Sequence, residues 1–178
     1  MSDNQVGTYK FEAFPFHLDV RGKLSMGVLG KHLLNCADAY AADRGFDVVE
    51  QGGEHYTWVL SRLAIELEDL PSCHESFSIQ TWVENVYRLF ADRNFVICDK
   101  DEKPIGYVRS VWAMISMETR NPANLLALYG DRITNSICEK ECPIAKPGRI
   151  KVSQQKAVSE YVAKYSDLDI NGHVNSIN

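Results

Sequence analysis

Hydrophobic residues recur at two different spacings along the chain, and each spacing is typical of a different secondary structure. Between residues 26 and 45 they recur every three to four positions, which predicts an amphipathic helix. Its expected apolar face consists of Val28, Leu29, Leu33, Cys36, Ala37 and Tyr40. Ser25 is a suitable N-cap, and Arg44 followed by Gly45 is typical of a helix C-terminus. One face of this helix is therefore expected to pack against a second layer of structure.

From Tyr56 onward the spacing changes to two, which predicts β-strands. The segments SFSIQTWVENV, ADRNFVICD and YVRSVWAMISM predict three strands, and a short helix is expected after Pro122. The segment WVLSRLAIEL predicts a further strand, one face of which is expected to carry Val59, Leu63, Ile65 and Leu67. A long helix followed by several antiparallel strands predicts an α+β fold with the helix against one sheet face.

The composition is that of a soluble globular protein, because 45% of the 178 residues are apolar and can form a core. The formal net charge of −5 disfavours general nucleic-acid binding. No segment approaches the roughly 18 apolar residues of a membrane span, and the N-terminus does not resemble a signal peptide. The five cysteines have neither disulfide-framework nor zinc-site spacing, so we expect reduced thiols, no metal and a cytoplasmic location.

A short internal repeat relates residues 18–25 (LDVRGKLS) to residues 168–175 (LDINGHVN), at an offset of 150 residues. Leucine, aspartate and glycine are identical in the two copies, and both copies follow a strand-like stretch. The polar positions that change character are Arg21/Asn171 and Lys23/His173. We interpret the repeat as a tandem duplication that contains a complete first unit and the start of a second one.

Three regions are expected on this interpretation. The first unit occupies residues 1–142, and residues 157–178 contain the first strand and the turn of the second unit. Residues 143–156 are rich in proline, glycine and basic residues and are interpreted as a linker. The basic residues favour either a solvated surface or contact with an acidic partner; they are Lys146, Arg149, Lys151 and Lys156.

The second copy of the repeat carries three side chains of catalytic type at alternating positions, namely Asp169, Asn171 and His173. The ordinary pKa of histidine lies near neutrality, so His173 is suited to general base catalysis. Aspartate and asparagine are also common turn residues, and a histidine can lie on a surface without a catalytic role. The residue types by themselves leave both interpretations open.

Four segments, taken in order, carry a resemblance to a known family: WVLSRLAIEL, IQTWVENVYRLFADRNFVI, SVWAMISMETRNP and SDLDINGHVNSI. The chain resembles the acyl-[acyl carrier protein] thioesterases of bacteria and plant plastids, in which one chain contains two hotdog units. The resemblance implies a hotdog fold, in which an antiparallel sheet wraps around a long helix. In that family the second unit continues beyond the position of Asn178, so the resemblance implies a truncated second hotdog and leaves open whether this chain is active.

The resemblance also implies hydrolysis of the thioester between a fatty acyl chain and acyl carrier protein, without a metal or organic cofactor. The catalytic residues of the family fall on Asp169, Asn171 and His173, and the first unit is expected to help form the acyl cavity. In this mechanism His173 activates water, and Asn171 positions the water or donates to the carbonyl. Asp169 is expected to orient the His173 ring or to assist the base.

Two alternatives to this function remain open at the level of the sequence. The first is hydrolysis of acyl-CoA, because the Asp-x-Asn-x-His motif does not identify the thiol carrier. The second is a non-catalytic module that binds acyl chains or dimerises. A single hotdog has an unpaired sheet edge and an exposed helix face, so homodimerisation through hotdog surfaces is expected.

Overall fold

The computed structural model describes residues 5–149, residues 159–168 and residue 174. The chain divides into two compact units, residues 1–147 and residues 148–178. Within the described residues no helix has both the length and the apolar character needed to cross a membrane.

The described part of the first unit consists of one long helix, one antiparallel sheet, two short α-helices and a 3-10 helix at Pro15–His17. In chain order its strands and α-helices are β1 (Gly7–Glu12), α1 (Met26–Asp43), β2 (Val49–Gln51), β3 (Glu54–Leu67), β4 (Ser76–Val86), β5 (Ala91–Cys98), β6 (Pro104–Ser116), α2 (Leu125–Tyr129) and α3 (Asp131–Thr134). The described strands pair antiparallel in the order β1-β4-β5-β6-β3-β2. A long helix on an antiparallel sheet confirms the predicted α+β hotdog fold.

The helix α1 begins and ends as its sequence predicts. The Ser25 hydroxyl accepts a hydrogen bond from the backbone N–H of Val28 (3.3 Å), and Gly45 has a φ of +67° just beyond the helix end. The buried side of α1 packs on the inward face of the sheet; this cluster includes Leu29, Leu33, Cys36, Ala37, Phe77, Ile79, Phe95, Ile97 and Val108. Burial of this apolar face is the main source of stability of the helix.

The predicted inward face of β3 is correct in its second half and wrong at Val59. A β-bulge interrupts the pairing of β3 with β6 between Leu60 and Arg62, and it reverses the alternation of side chains. Trp58 therefore packs with the core, where its indole N–H donates to the Phe46 carbonyl (2.8 Å). Val59 points outward and is 38% exposed.

The outer face of the sheet, opposite α1, is covered by residues 138–147, which we term the strap. Alternate strap residues contact the sheet, so Cys138, Cys142 and Ile144 are buried. They form an apolar cluster with sheet residues that include Trp82, which is fully buried. The first residues of the predicted linker therefore lie against the sheet of the first unit.

Candidate functional site

The candidate catalytic residues Asp169, Asn171 and His173 lie outside the described residues, so their arrangement stays a prediction. The residues that flank them, Leu168 and Val174, are described and can be compared with the first copy of the repeat. The first copy is described completely, and it provides the geometry of the turn.

In the first copy, the 3-10 helix Pro15–His17 leads directly into the turn before α1. The N–H of Leu18 donates to the carbonyl of Pro15 (3.3 Å), which closes the 3-10 helix. Leu18 then forms an isolated antiparallel bridge with Leu24, and this bridge closes the turn at its base.

The described residues of the second copy repeat this backbone arrangement at the same offset of 150 residues. A 3-10 helix spans Tyr165–Asp167, and the N–H of Leu168 donates to the carbonyl of Tyr165 (3.3 Å). Leu168 then forms an isolated antiparallel bridge with Val174, as Leu18 does with Leu24. The described residues of the two copies therefore share the 3-10 helix and the bridge that closes the turn.

The carboxylate of Asp19 organises the turn of the first copy. Its Oδ1 atom accepts hydrogen bonds from the backbone N–H groups of Arg21 (2.9 Å) and Lys23 (3.4 Å). The backbone of Asp19 also donates to the Lys23 carbonyl (2.8 Å), and Gly22 adopts a φ of +75°, which favours glycine. An aspartate that accepts from backbone N–H groups two to four residues later is a common device for holding a tight turn.

The two basic residues of this turn are both paired with carboxylates. The guanidinium of Arg21 donates to Oδ2 of Asp19 (2.6 Å), and hydrogen bonding from Arg21 lowers the pKa of the Asp19 carboxyl. The Lys23 ammonium lies 2.9 Å from Asp69. The first copy therefore uses its polar side chains to hold the loop and to join it to the chain near β3.

A polar row crosses the inward face of the sheet within the apolar core. It consists of Thr81, Arg93 and Ser110, which are all buried. The guanidinium of Arg93 lies 4.6 Å from the centre of the Tyr40 ring and 3.4 Å from the Thr81 hydroxyl. Burial lowers the pKa of Arg93 to about 10. The sequence did contain a signal for the burial of Arg93. It lies two and four residues before Phe95 and Ile97, so the alternation of the strand places all three side chains on the same face.

A further polar feature, for which the sequence contained no signal, joins β2, β3 and the turn after β6. Nδ1 of His55 lies 2.9 Å from Glu118, and Nε2 lies 3.5 Å from Glu50. Hydrogen bonding to Glu118, together with the charge of Glu50, raises the pKa of His55. The two carboxylates come from elements that are distant in the chain, so only the folded sheet brings them together.

Comparison with known proteins identifies relatives over most of the chain. Residues 5–130 match the family model of the acyl-ACP thioesterase N-terminal domain. The chain is 28% identical over 137 residues to the chloroplastic oleoyl-acyl carrier protein thioesterase 2 of Arabidopsis thaliana. That alignment covers 69% of this chain and 36% of the plant protein, so the chain spans little more than a third of that curated relative.

Solved structures are similar over almost the whole chain. The crystal structure of an acyl-ACP thioesterase from Bacteroides thetaiotaomicron is 61% identical, with a TM-score of 0.88, and the match covers 99% of this chain and 72% of that one. The 12:0-ACP thioesterase from Umbellularia californica is 16% identical with a TM-score of 0.75, and the match covers 97% and 67% of the two chains. The second similarity shows the fold alone.

Proposed function

The chain belongs to the acyl-ACP thioesterase family, and from this membership we propose that the full-length protein hydrolyses fatty acyl-[acyl carrier protein]. The observation that carries the proposal is the family match over residues 5–130, which the 61% identity to the Bacteroides thioesterase supports. The products are the free fatty acid and the carrier protein with its free thiol.

The residues proposed to perform this reaction are Asp169, Asn171 and His173. His173 removes a proton from a water molecule, whose oxygen attacks the thioester carbonyl carbon. The carbon–sulfur bond then breaks, and the departing thiolate receives the proton from His173. Asn171 donates through its amide to the carbonyl oxygen or to the attacking water, and it does so without a change of charge. The matching backbone arrangement at residues 165–168 and 174 supports a turn at this place.

The first copy of the repeat suggests a specific role for Asp169. Asp19, its counterpart, accepts hydrogen bonds from the backbone N–H groups of the residues two and four positions later. By analogy, Asp169 braces the backbone that carries Asn171 and His173. This role differs from orienting the imidazole ring, which needs a carboxylate at a ring nitrogen.

The test is hydrolysis of acyl-[acyl carrier protein] by the full-length protein and by its His173→Ala variant. Loss of a general base is expected to lower kcat by about 100- to 10,000-fold. Lys23→Ala is the matched control, because Lys23 occupies the same position in the first copy, and its activity should stay near that of the wild type. Unchanged hydrolysis by His173→Ala would refute the assignment. Matched acyl-CoA substrates, measured in parallel, decide which thiol carrier the protein uses.

We further propose acyl carrier protein as the partner, a cytoplasmic location and a homodimer. All five cysteines are free thiols, which is typical of a reducing compartment.

Phe16 and Val20, beside the turn of the first copy, are fully exposed, and strands β1 and β2 are the sheet edges. Exposed apolar residues and unpaired sheet edges both support self-association. Sedimentation of the wild type and of a Phe16→Ser/Val20→Ser variant tests the dimer, since the variant should be monomeric.

A further inference from the structure

The strap is attached to the outer face of the sheet by a small number of specific contacts. None of its residues belongs to a helix or a strand, although every one of them is described. The hydrogen bonds that connect its backbone to the sheet are Cys138 to Val83 (2.9 Å), Trp82 to Lys140 (2.9 Å) and Arg109 to Cys142 (2.7 Å). The strap therefore lacks the continuous ladder of backbone bonds that stabilises the strands beneath it.

An ionic cluster holds the far end of the strap. The Lys146 ammonium lies 3.2 Å from Glu84 and 3.0 Å from Asp92, which project from neighbouring strands β4 and β5. Glu84 also accepts hydrogen bonds from Arg109 (2.6 Å) and Asn94 (2.9 Å). Lys146 thus bridges two partly buried carboxylates that would repel each other without it.

Lys146 lies one residue before Pro147, at which the first unit ends. We propose that the strap is a separately releasable cover that Lys146 holds closed on Glu84 and Asp92. When the strap is closed, the chain leaves the sheet of the first unit after Pro147. When it is open, the chain leaves after Ile137, and the freed residues add roughly 30 Å of extended chain to the connection. The ion pairs of Lys146 with Glu84 and Asp92, which we term the latch, therefore set how much of the chain is held on the sheet.

The local stability of the strap is expected to be low relative to that of the sheet. Half-exposed ion pairs contribute about 1 kcal/mol or less each, and segments with few backbone bonds open without global unfolding. The strap also carries natural reporters of its own opening, because its residues Cys138 and Cys142 are buried against the sheet. Cys36 belongs to α1 and is buried where the helix packs on the inward face of the sheet, and Cys73 is exposed. Thiol modification can therefore separate opening of the strap from unfolding of the unit.

The experiment measures the rate at which a thiol reagent modifies each cysteine in the native protein, with the sites resolved by mass spectrometry. Cys73 should react at once, Cys138 and Cys142 more slowly, and Cys36 at the rate of global unfolding. Lys146→Met should accelerate Cys138 and Cys142 by about fivefold without accelerating Cys36. Lys146→Arg should keep the wild-type rates, and Lys103→Met, which removes an exposed lysine between β5 and β6, is the matched control.

Two further measurements distinguish the latch from a general loss of stability. Rising salt should accelerate Cys138 and Cys142 in the wild type, because the ion pairs are partly exposed to solvent. Adding Asp92→Asn to Lys146→Met should slow the modification of Cys138 and Cys142 again, because it removes the repulsion between Asp92 and Glu84. Equal modification rates for Cys36, Cys138 and Cys142 in the wild type would overturn the proposal. Unchanged rates in Lys146→Met would overturn it as well.

Discussion

Asp19 binds Arg21 through both oxygens of its carboxylate. One oxygen accepts from the backbone N–H of Arg21 at 2.9 Å, and the other accepts from its guanidinium at 2.6 Å. The first bond organises the backbone and does not depend on the side chain at position 21. The second bond does depend on it, and the repeat replaces Arg21 by Asn171. Of the two interactions, only the backbone bond can recur in the same form in the second copy.

This difference predicts the behaviour of Asp169 variants in the full-length protein. Asparagine keeps an oxygen that accepts from backbone N–H groups, so Asp169→Asn should retain most of the hydrolytic activity if Asp169 is a brace. Asp169→Ala should lower kcat strongly, because it removes the acceptor. If the carboxylate instead orients His173, both variants should lose activity, and the pH profile of kcat should shift in Asp169→Asn. Asp19→Asn and Asp19→Ala, followed by thermal unfolding, are the corresponding controls in the first copy.

The contacts of His55 predict a pH-dependent contribution to stability. Its pKa is raised above the ordinary 6.5 by Glu118 and Glu50, so the protonated form is favoured in the folded state. The contribution is therefore complete below the unfolded pKa and disappears as the pH rises through the raised folded pKa. The difference in unfolding free energy between wild type and His55→Gln should be larger at about pH 5.5 than at about pH 8.5. A pH-independent difference in urea unfolding would contradict this assignment.

The bulge in β3 predicts effects of different size for two similar substitutions. The Val59 side chain lies on the outward face of β3. Val59→Thr should therefore change the unfolding free energy by about 0.5 kcal/mol or less. Ile65 pairs with the fully buried Val108 and contacts the core, so Ile65→Thr should lower it by about 1 to 3 kcal/mol. Urea unfolding of the two variants decides the matter. Equal losses would mean that Val59 packs inward after all.

The buried guanidinium of Arg93 predicts a contrast between two apolar replacements. Methionine fills much of the same volume without a charge, so Arg93→Met should leave the unfolding free energy unchanged or raise it by about 1 to 2 kcal/mol. Alanine leaves a cavity beside Tyr40 and Thr81, so Arg93→Ala should lower it by about 2 to 4 kcal/mol. Equilibrium unfolding below pH 9 measures both. A large loss in Arg93→Met would show that the charge itself stabilises the core.

Local periodicity was sufficient to predict the elements whose burial depends on one packed face. The spacing of Leu29, Leu33 and Cys36 predicted α1 correctly, because a helix presents these residues to the sheet in any case. Val59 was assigned to the wrong face, because a bulge depends on the pairing of two strands and leaves no mark in the alternation of one of them. Trp82 is buried on the outer face by the strap, a segment about 58 residues later in the chain.

For the candidate site, too, the sequence predicts the local features and not the contacts between distant residues. The repeat predicts that the candidate residues lie in a turn, and the matching bridges at Leu18 and Leu168 are consistent with that prediction. The geometry of Asp169, Asn171 and His173 did not follow, because it depends on residues brought together by the folded chain. The pairing of His55 with Glu118, which are 63 residues apart, was not predictable from the sequence for the same reason.

The strap also restricts how two copies of the first unit can meet. Sheets that stack face to face lie about 10 Å apart and interdigitate their side chains across that space. On this protein the space above β4, β5 and β6 is already occupied by the chain's own backbone, with Cys142 and Ile144 filling the position of a facing sheet. A sandwich of two outer faces would therefore have to displace the strap first. While the strap is in place, the sheet edges and the surface around Phe16 stay open to a second copy.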